Sequence, residues 1–549
     1  MAGNIGAAAL TTGYASEVMP ARVEFENRPR SDLVCFLIFV IMLICHVVLG
    51  IVMVLKQNVS FNEQGAEFSG SLIQEQSECY ARTYGANNNN RLLIAQQNDL
   101  WSLMAENPQI PAVTIAVVPV IAVMWMGALY MFSFTMAWFS IIINCGMYVS
   151  IGVAILMEEL DTAIGALFMA FGIILLLLAI YSRALVRQSA DNLKMATLIL
   201  SKLKSVFLAG GIVQALLLAF MGLTFWFWIS AAKVWEVQPI GCRLAPVDAY
   251  GTMTYFAIYL VWFCCFMDGI KMVVTAMSVG TWFFDQSDRP RGMYPLTALK
   301  IVASRSVGTV AAGSLIAAIV ENIIQRATKR FWFLDPVSCI LKLILLIFQS
   351  CIMALTRFAL VAHAFTGLGF FGSSKRVFKV MKKNFAGAYV NDRVGVSVVR
   401  TGAHVFSILI GLAAWYWIDH VKGWDTLQVI GDLFRESFFM ALLMIAVYVW
   451  LSANALFTIC VIVLLQETVV SWADTGPEFN GPILGIFITC ISSIILNFQG
   501  DIILNALDTT FLCHAIGKDN NIGKPSSGDR AMMYVLLEEV PEAKQVTPS

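Results

Sequence analysis

The chain is 549 residues long, 58% hydrophobic and only 13% charged, with a mean hydropathy of +0.75. Soluble domains are about one quarter charged, and a water-soluble fold this apolar could not cover its surface with polar groups. Basic and acidic residues number 36 each, so no net field draws nucleic acid.

Residues 1–32 are mostly polar and too long a lead for a cleaved signal peptide, so they read as a tail. Leu33–Leu55 then runs without a charge, long enough as a helix to cross a hydrocarbon core about 30 Å thick. Lipid offers no partner to a bare amide, so such a run must be helical. Residues 56–110 form a polar loop rich in Asn, Gln and Glu. Spans are predicted near Pro111–Phe134, Ala137–Met157 and Thr162–Tyr181. A basic stretch with Arg183, Arg187, Lys194, Lys202 and Lys204 precedes a fifth span at Leu208–Ala231. A long apolar stretch, Thr252–Phe284, holds Asp268 and Lys271. After a second basic loop (Arg289, Arg291, Lys300, Arg305) come Gly308–Ile324 and a span within Val337–Phe371. A third basic loop, from Lys375 to Arg400, leads to Thr401–Ile418. Phe438–Leu465 is an additional apolar insert, readable as a tilted helix or a hairpin, and Ile483–Leu507 is the last span. Residues 111–510 thus form the helical core and residues 511–549 a tail. The fold class is all-α, a polytopic transmembrane bundle of about ten core helices.

The positive-inside rule places the three basic loops and both tails in the cytosol, and the acidic 56–110 loop outside. Arg326, Lys329 and Arg330 oppose this orientation. Of the twelve cysteines, Cys79 and Cys242 fall in the loops predicted outside, where an oxidising environment permits a disulfide; two free thiols are the alternative. There is no C-x-x-C pair, and no zinc site or other cofactor is expected.

The nearest approach to a phosphate-binding loop, Gly517–Ser526 (GKDNNIGKPS), is one residue too long and has Pro525 after its Lys. ATP-driven pumping is therefore not expected. The five histidines lie in different segments with no H-x-x-H, so no enzyme site is expected.

Ionised groups inside apolar runs are costly and point to function. Asp268 and Lys271, three apart, share a helix face and can pair, whether as a structural ion pair or within a pathway. Glu321 sits towards the end of its span beside Asn322. Asp501, Asn505 and Asp508 can face one side of the last span. Lys342 and Arg357 read as snorkelling side chains. Tyr255, Tyr259 and Trp262 recur at i, i+4 and i+7, with Trp282 near the same helix's end. These rings read either as an interfacial aromatic belt or as a surface for a quaternary ammonium ion, worth about 0.5–2 kcal/mol per ring.

Four segments carry a family resemblance. Ser304–Ile319 (SRSVGTVAAGSLIAAI), Val274–Phe284 (VTAMSVGTWFF), Arg357–Asn384 with its VMKKN, and Leu507–Asp519 (LDTTFLCHAIGKD) resemble the choline transporter-like family. The resemblance implies a ten-helix transporter with cytosolic termini in the plasma or an organelle membrane. It would move choline or an ethanolamine-like molecule without ATP, by alternating access. On this transporter reading the residues above are expected to build the site: Tyr255, Tyr259, Trp262, Asp268, Trp282, Glu321, Asn505 and Asp508, with membrane lipids as the surrounding partners and the oligomeric state left open. The alternative is a non-transporting, lipid-handling or scaffolding membrane protein. An ion channel would show a repeated pore motif or a charged ring, and neither is present.

Overall fold

A computed structural model describes residues 19–20, 23, 28–56, 108–157, 162–232, 234, 236–237, 243–244, 247–284, 294–330, 336–422 and 480–519. Its elements in chain order are α1 (Leu33–Leu55), α2 (Gln109–Met157), α3 (Thr162–Tyr181), α4 (Arg183–Lys202), α5 (Ser205–Ala232) and α6 (Val247–Phe284). Then follow α7 (Tyr294–Ile301), a π-turn (Val302–Ser306), α8 (Val307–Arg330), α9 (Pro336–Thr366), α10 (Phe370–Lys422) and α11 (Asn480–Asp519). Among the described residues, the one pair of strands is two residues each and antiparallel, between α5 and α6: β1 (Glu236–Val237) with β2 (Arg243–Leu244). The insert Phe438–Leu465 lies outside the described residues.

Seven of these helices are long and apolar enough to cross a bilayer, or up to nine if each of two bent pairs is one span. The bends are 77° between α3 and α4 and 105° between α9 and α10. The first and third basic stretches are therefore helical rather than looped. α4 is amphipathic and buries ten residues, including Val186, Leu193 and Leu200. Arg400 lies inside the candidate span Val390–Ile418, not in a loop before it.

Each span divides into a lipid face and a packed face. On α1, Leu37, Ile41, Ile44 and Val48 are exposed at helical spacing, while Phe39, His46, Gly50 and Met53 are buried. Lipid tails are as apolar as these side chains, so helix association rests on close packing and internal polar contacts. Small residues make that approach possible. Gly308 backs onto the Ser31 and Asp32 carbonyls, and Gly313 meets Leu360 and Phe370.

Helix α2 leaves helical geometry at Phe132 (φ −124°, ψ 27°). Its two arms meet the same stretch of α10. Trp125 lies against Gly402 and stacks edge-on with Phe406, while the Asn144 side chain donates to Ser397 Oγ and Thr401 Oγ1. In a straight helix Trp125 and Asn144 would stand about 28 Å apart. The chain therefore bends sharply at Phe132, two residues before the predicted end of the span Pro111–Phe134.

A side chain at Gly402 would collide with the Trp125 indole. Gly402→Leu is expected to destabilise the protein by about 1–3 kcal/mol, the usual range for overpacking. A lowered melting midpoint of the detergent-solubilised protein checks this.

Candidate functional site

The interior of the bundle has an aromatic level and, further along α6 and α11, two charged levels. α1, α5 and α6 build the first. Their buried faces bring Phe39 and His46, Phe220 and Phe227, and Tyr255, Phe256, Tyr259 and Trp262 together. Tyr255 and Tyr259 lie nearly parallel, 6.1 Å between centroids and 5° between planes. Tyr259 and Trp262 meet edge to face at 6.0 Å, and Tyr259 stands 5.1 Å from the His46 ring. The i, i+4, i+7 spacing read in the sequence is thus one buried face of α6, turned towards α1 and α5 rather than arranged as a belt.

Most polar atoms of this nest are satisfied within the protein. The Tyr255 hydroxyl donates to the Met42 carbonyl at 2.7 Å, and Trp262 Nε1 reaches Ser314 Oγ at 3.1 Å. His46 Nε2 pairs with Thr224 Oγ1 at 3.0 Å. Two are not: His46 Nδ1 and the Tyr259 hydroxyl are buried without a hydrogen-bond partner among the described residues. An unmet buried polar group costs about 1–3 kcal/mol, so two in one aromatic nest mark a place where a ligand or water completes the bonding.

Nine residues beyond Tyr259, about 13 Å along the helix, stands the first charged level. Lys271 is only 3% exposed; its ammonium lies 2.7 Å from Asp268 and 3.8 Å from Asp501, and donates to Gln214 Oε1 at 3.0 Å. Arg400 approaches the other Asp501 oxygen at 4.0 Å. Side chains from α5, α6, α10 and α11 therefore meet at one point. The predicted pairing of Asp268 with Lys271 is present, with Asp268 at the open edge.

The second level joins α9, α10 and α11. The Arg357 guanidinium hydrogen-bonds Asp392 and stands 3.6 Å from Asp508. Both carboxylates are buried, at 4% and 2% exposure. Beside Asp392, Asn391 accepts a hydrogen bond from Asn192 of α4 at 3.0 Å. Arg357 was expected to snorkel outward; instead it turns inward, because two desolvated carboxylates offer a better partner than the interface does. Asp392 was missed because it sits in a stretch dominated by basic residues. Only its partners stood in family-like segments, Arg357 at the start of one and Asp508 within another.

The other predicted residues are spread. Trp282 is buried near the far end of α6 and Asn505 on α11 between the charged levels. Glu321 lies on α8, but its side chain is outside the described residues, as are Cys79 and Cys242. Tyr255, Tyr259 and Trp262 therefore form one group, Asp268 belongs to a second and Asp508 to a third.

Long apolar spans closing around buried ion pairs define an integral, multi-pass membrane protein. A family profile described as plasma-membrane choline transporter matches residues 166–460, more than half of the chain and most of the insert. The chain belongs to that family. A curated protein named Protein PNS1, from Gibberella zeae, is 23% identical over 231 residues. The matched region covers 39% of this chain and 41% of that protein, so the chain spans about two fifths of its relative's length.

Proposed function

We propose that this protein carries choline or a closely related small organic cation across the membrane, without ATP, by alternating access. The observation that carries the proposal is the aromatic nest with its two unmet polar atoms. Choline has two recognisable ends. The trimethylammonium group cannot donate a hydrogen bond and is held by ring faces. The hydroxyl both donates and accepts, which suits the Tyr259 hydroxyl and His46 Nδ1. On this reading the Lys271 and Arg357 levels are hinges between helices rather than direct ligands to the cation. Glu321, Trp282 and Asn505 remain proposed lining residues, and a Cys79–Cys242 disulfide a proposed brace outside the membrane. The basic α4 and the basic start of α10 support cytosolic termini, and the family match supports a plasma-membrane location.

Radiolabelled choline uptake into cells with confirmed surface expression tests this. Uptake no higher than in control cells would exclude it and favour the non-transporting, lipid-handling reading. Within the nest, Tyr259→Phe removes only the hydroxyl. It is expected to raise the KM for choline about fivefold, near 1 kcal/mol, while leaving inhibition by tetramethylammonium unchanged. An equal loss for both ligands would remove the hydroxyl from the site.

A further inference from the structure

The break between α9 and α10 is clasped by the segment that precedes α1. The backbone turns through 105° there, and Gly367 takes a left-handed conformation (φ 67°). A broken helix leaves carbonyls bare at one end and amides at the other. Residues 28–32 serve both. The Arg28 guanidinium donates to the Ala364 carbonyl in the last turn of α9. The Asp32 carboxylate accepts from the Phe370 amide, the first of α10, at 2.8 Å. A cation at a helix C-terminus and an anion at an N-terminus are the favourable pairing of charge with dipole.

The same segment holds two more elements. Asp32 accepts from Thr309 Oγ1 of α8 at 2.9 Å, and the Ser31 and Thr309 hydroxyls pair at 2.8 Å. Arg305 of the π-turn donates to the Arg28 carbonyl at 3.2 Å. Gly308 and Gly369 lie so close that a Cβ on either would crowd this strap. Asp32 itself adopts the left-handed conformation (φ 55°), which turns the chain from the strap into α1. Val23, further back, is buried near Gly280 and Phe365.

We propose that residues 28–32 are a latch that holds the α8, α9 and α10 ends together, and that this end of the bundle opens only when Asp32 releases Thr309 and Phe370. The inference concerns gating and goes beyond the choice of substrate. A carboxylate bound by one hydroxyl and one amide, with no cation among those contacts, suits a contact that must break and re-form.

The test uses the full chain in two forms. In Ser31→Cys/Thr309→Cys, thiols replace two hydroxyls 2.8 Å apart and can bridge. Oxidation, with the bridge confirmed by mass spectrometry, is expected to lower uptake at least tenfold, and a reductant to restore it. Separately, Ser278→Cys places a reporter on α6 at a fully buried position. Alkylation at that residue is expected to rise at least fivefold when Asp32→Ala is added, and to fall when the bridge is formed. Undiminished uptake by the bridged protein, or unchanged alkylation with Asp32→Ala, overturns the latch. A native chain without choline uptake would sink only the substrate proposal, since alkylation still reads the gate.

Discussion

Replacing Lys271 with Met is expected to cost roughly 3–5 kcal/mol, the scale for breaking a buried pair from one side. The side chain is 3% exposed and serves Asp268, Asp501 and Gln214 together. Its loss leaves Asp501 facing Arg400 alone, at 4.0 Å, and leaves the Gln214 oxygen without that donor. The two acidic partners differ sharply. Asp268 is 58% exposed and is one of two carboxylates that the ammonium serves, so Asp268→Asn is expected to cost less than Lys271→Met. Asp501 is 34% exposed and lies between two cations. The double variant Lys271→Met/Asp501→Asn should therefore regain a large part of what Lys271→Met loses. Melting midpoints and surface yield of the four proteins decide this. A double variant no better than Lys271→Met would show that Lys271 acts through packing and not through charge.

The apolar spans were legible because the membrane imposes one simple rule: about twenty apolar residues make a crossing. α1 begins and ends at the residues its uncharged run defines. The α6 aromatic face was legible for a similar reason, since i, i+4, i+7 is helical geometry and needs no partner to be seen. What the spacing could not say was which helices the face meets. His46 completes the nest from more than two hundred residues away, and alone it was one histidine in an apolar run. The charged levels follow the same pattern. Asp268 with Lys271 is local and was read directly; Asp501 with Lys271, and Arg357 with Asp392 and Asp508, are contacts between helices. The sharp bend at Phe132 left no Gly or Pro at that residue to announce it. Asp32 looked like the last residue of a polar tail, and only its three-dimensional neighbours make it a helix cap.

Arg357→Leu is expected to be the other severe substitution, again in the 3–5 kcal/mol range, and its partners let charge be separated from packing. One guanidinium faces two buried carboxylates from two other helices. Without it, Asp392 and Asp508 stand desolvated and close to each other, each raising the penalty of the other. Asp508→Asn leaves the Arg357–Asp392 bond intact and neutralises a carboxylate of which one oxygen has no hydrogen-bond partner among the described residues. It should therefore cost far less than Arg357→Leu, and it should partly rescue Arg357→Leu when the two are combined. Arg357→Lys keeps the charge but loses the planar fork that reaches two acids at once, so it should fall between. Detergent-solubilised melting midpoints, read beside choline uptake, order these variants. If Asp508→Asn proved as damaging as Arg357→Leu, the α11 carboxylate would be holding more than the arginine, and the three-helix joint would need another member. If the predicted order holds, α9, α10 and α11 move as one unit because a single side chain ties them. That unit is the one the strap at residues 28–32 grips where α9 turns into α10.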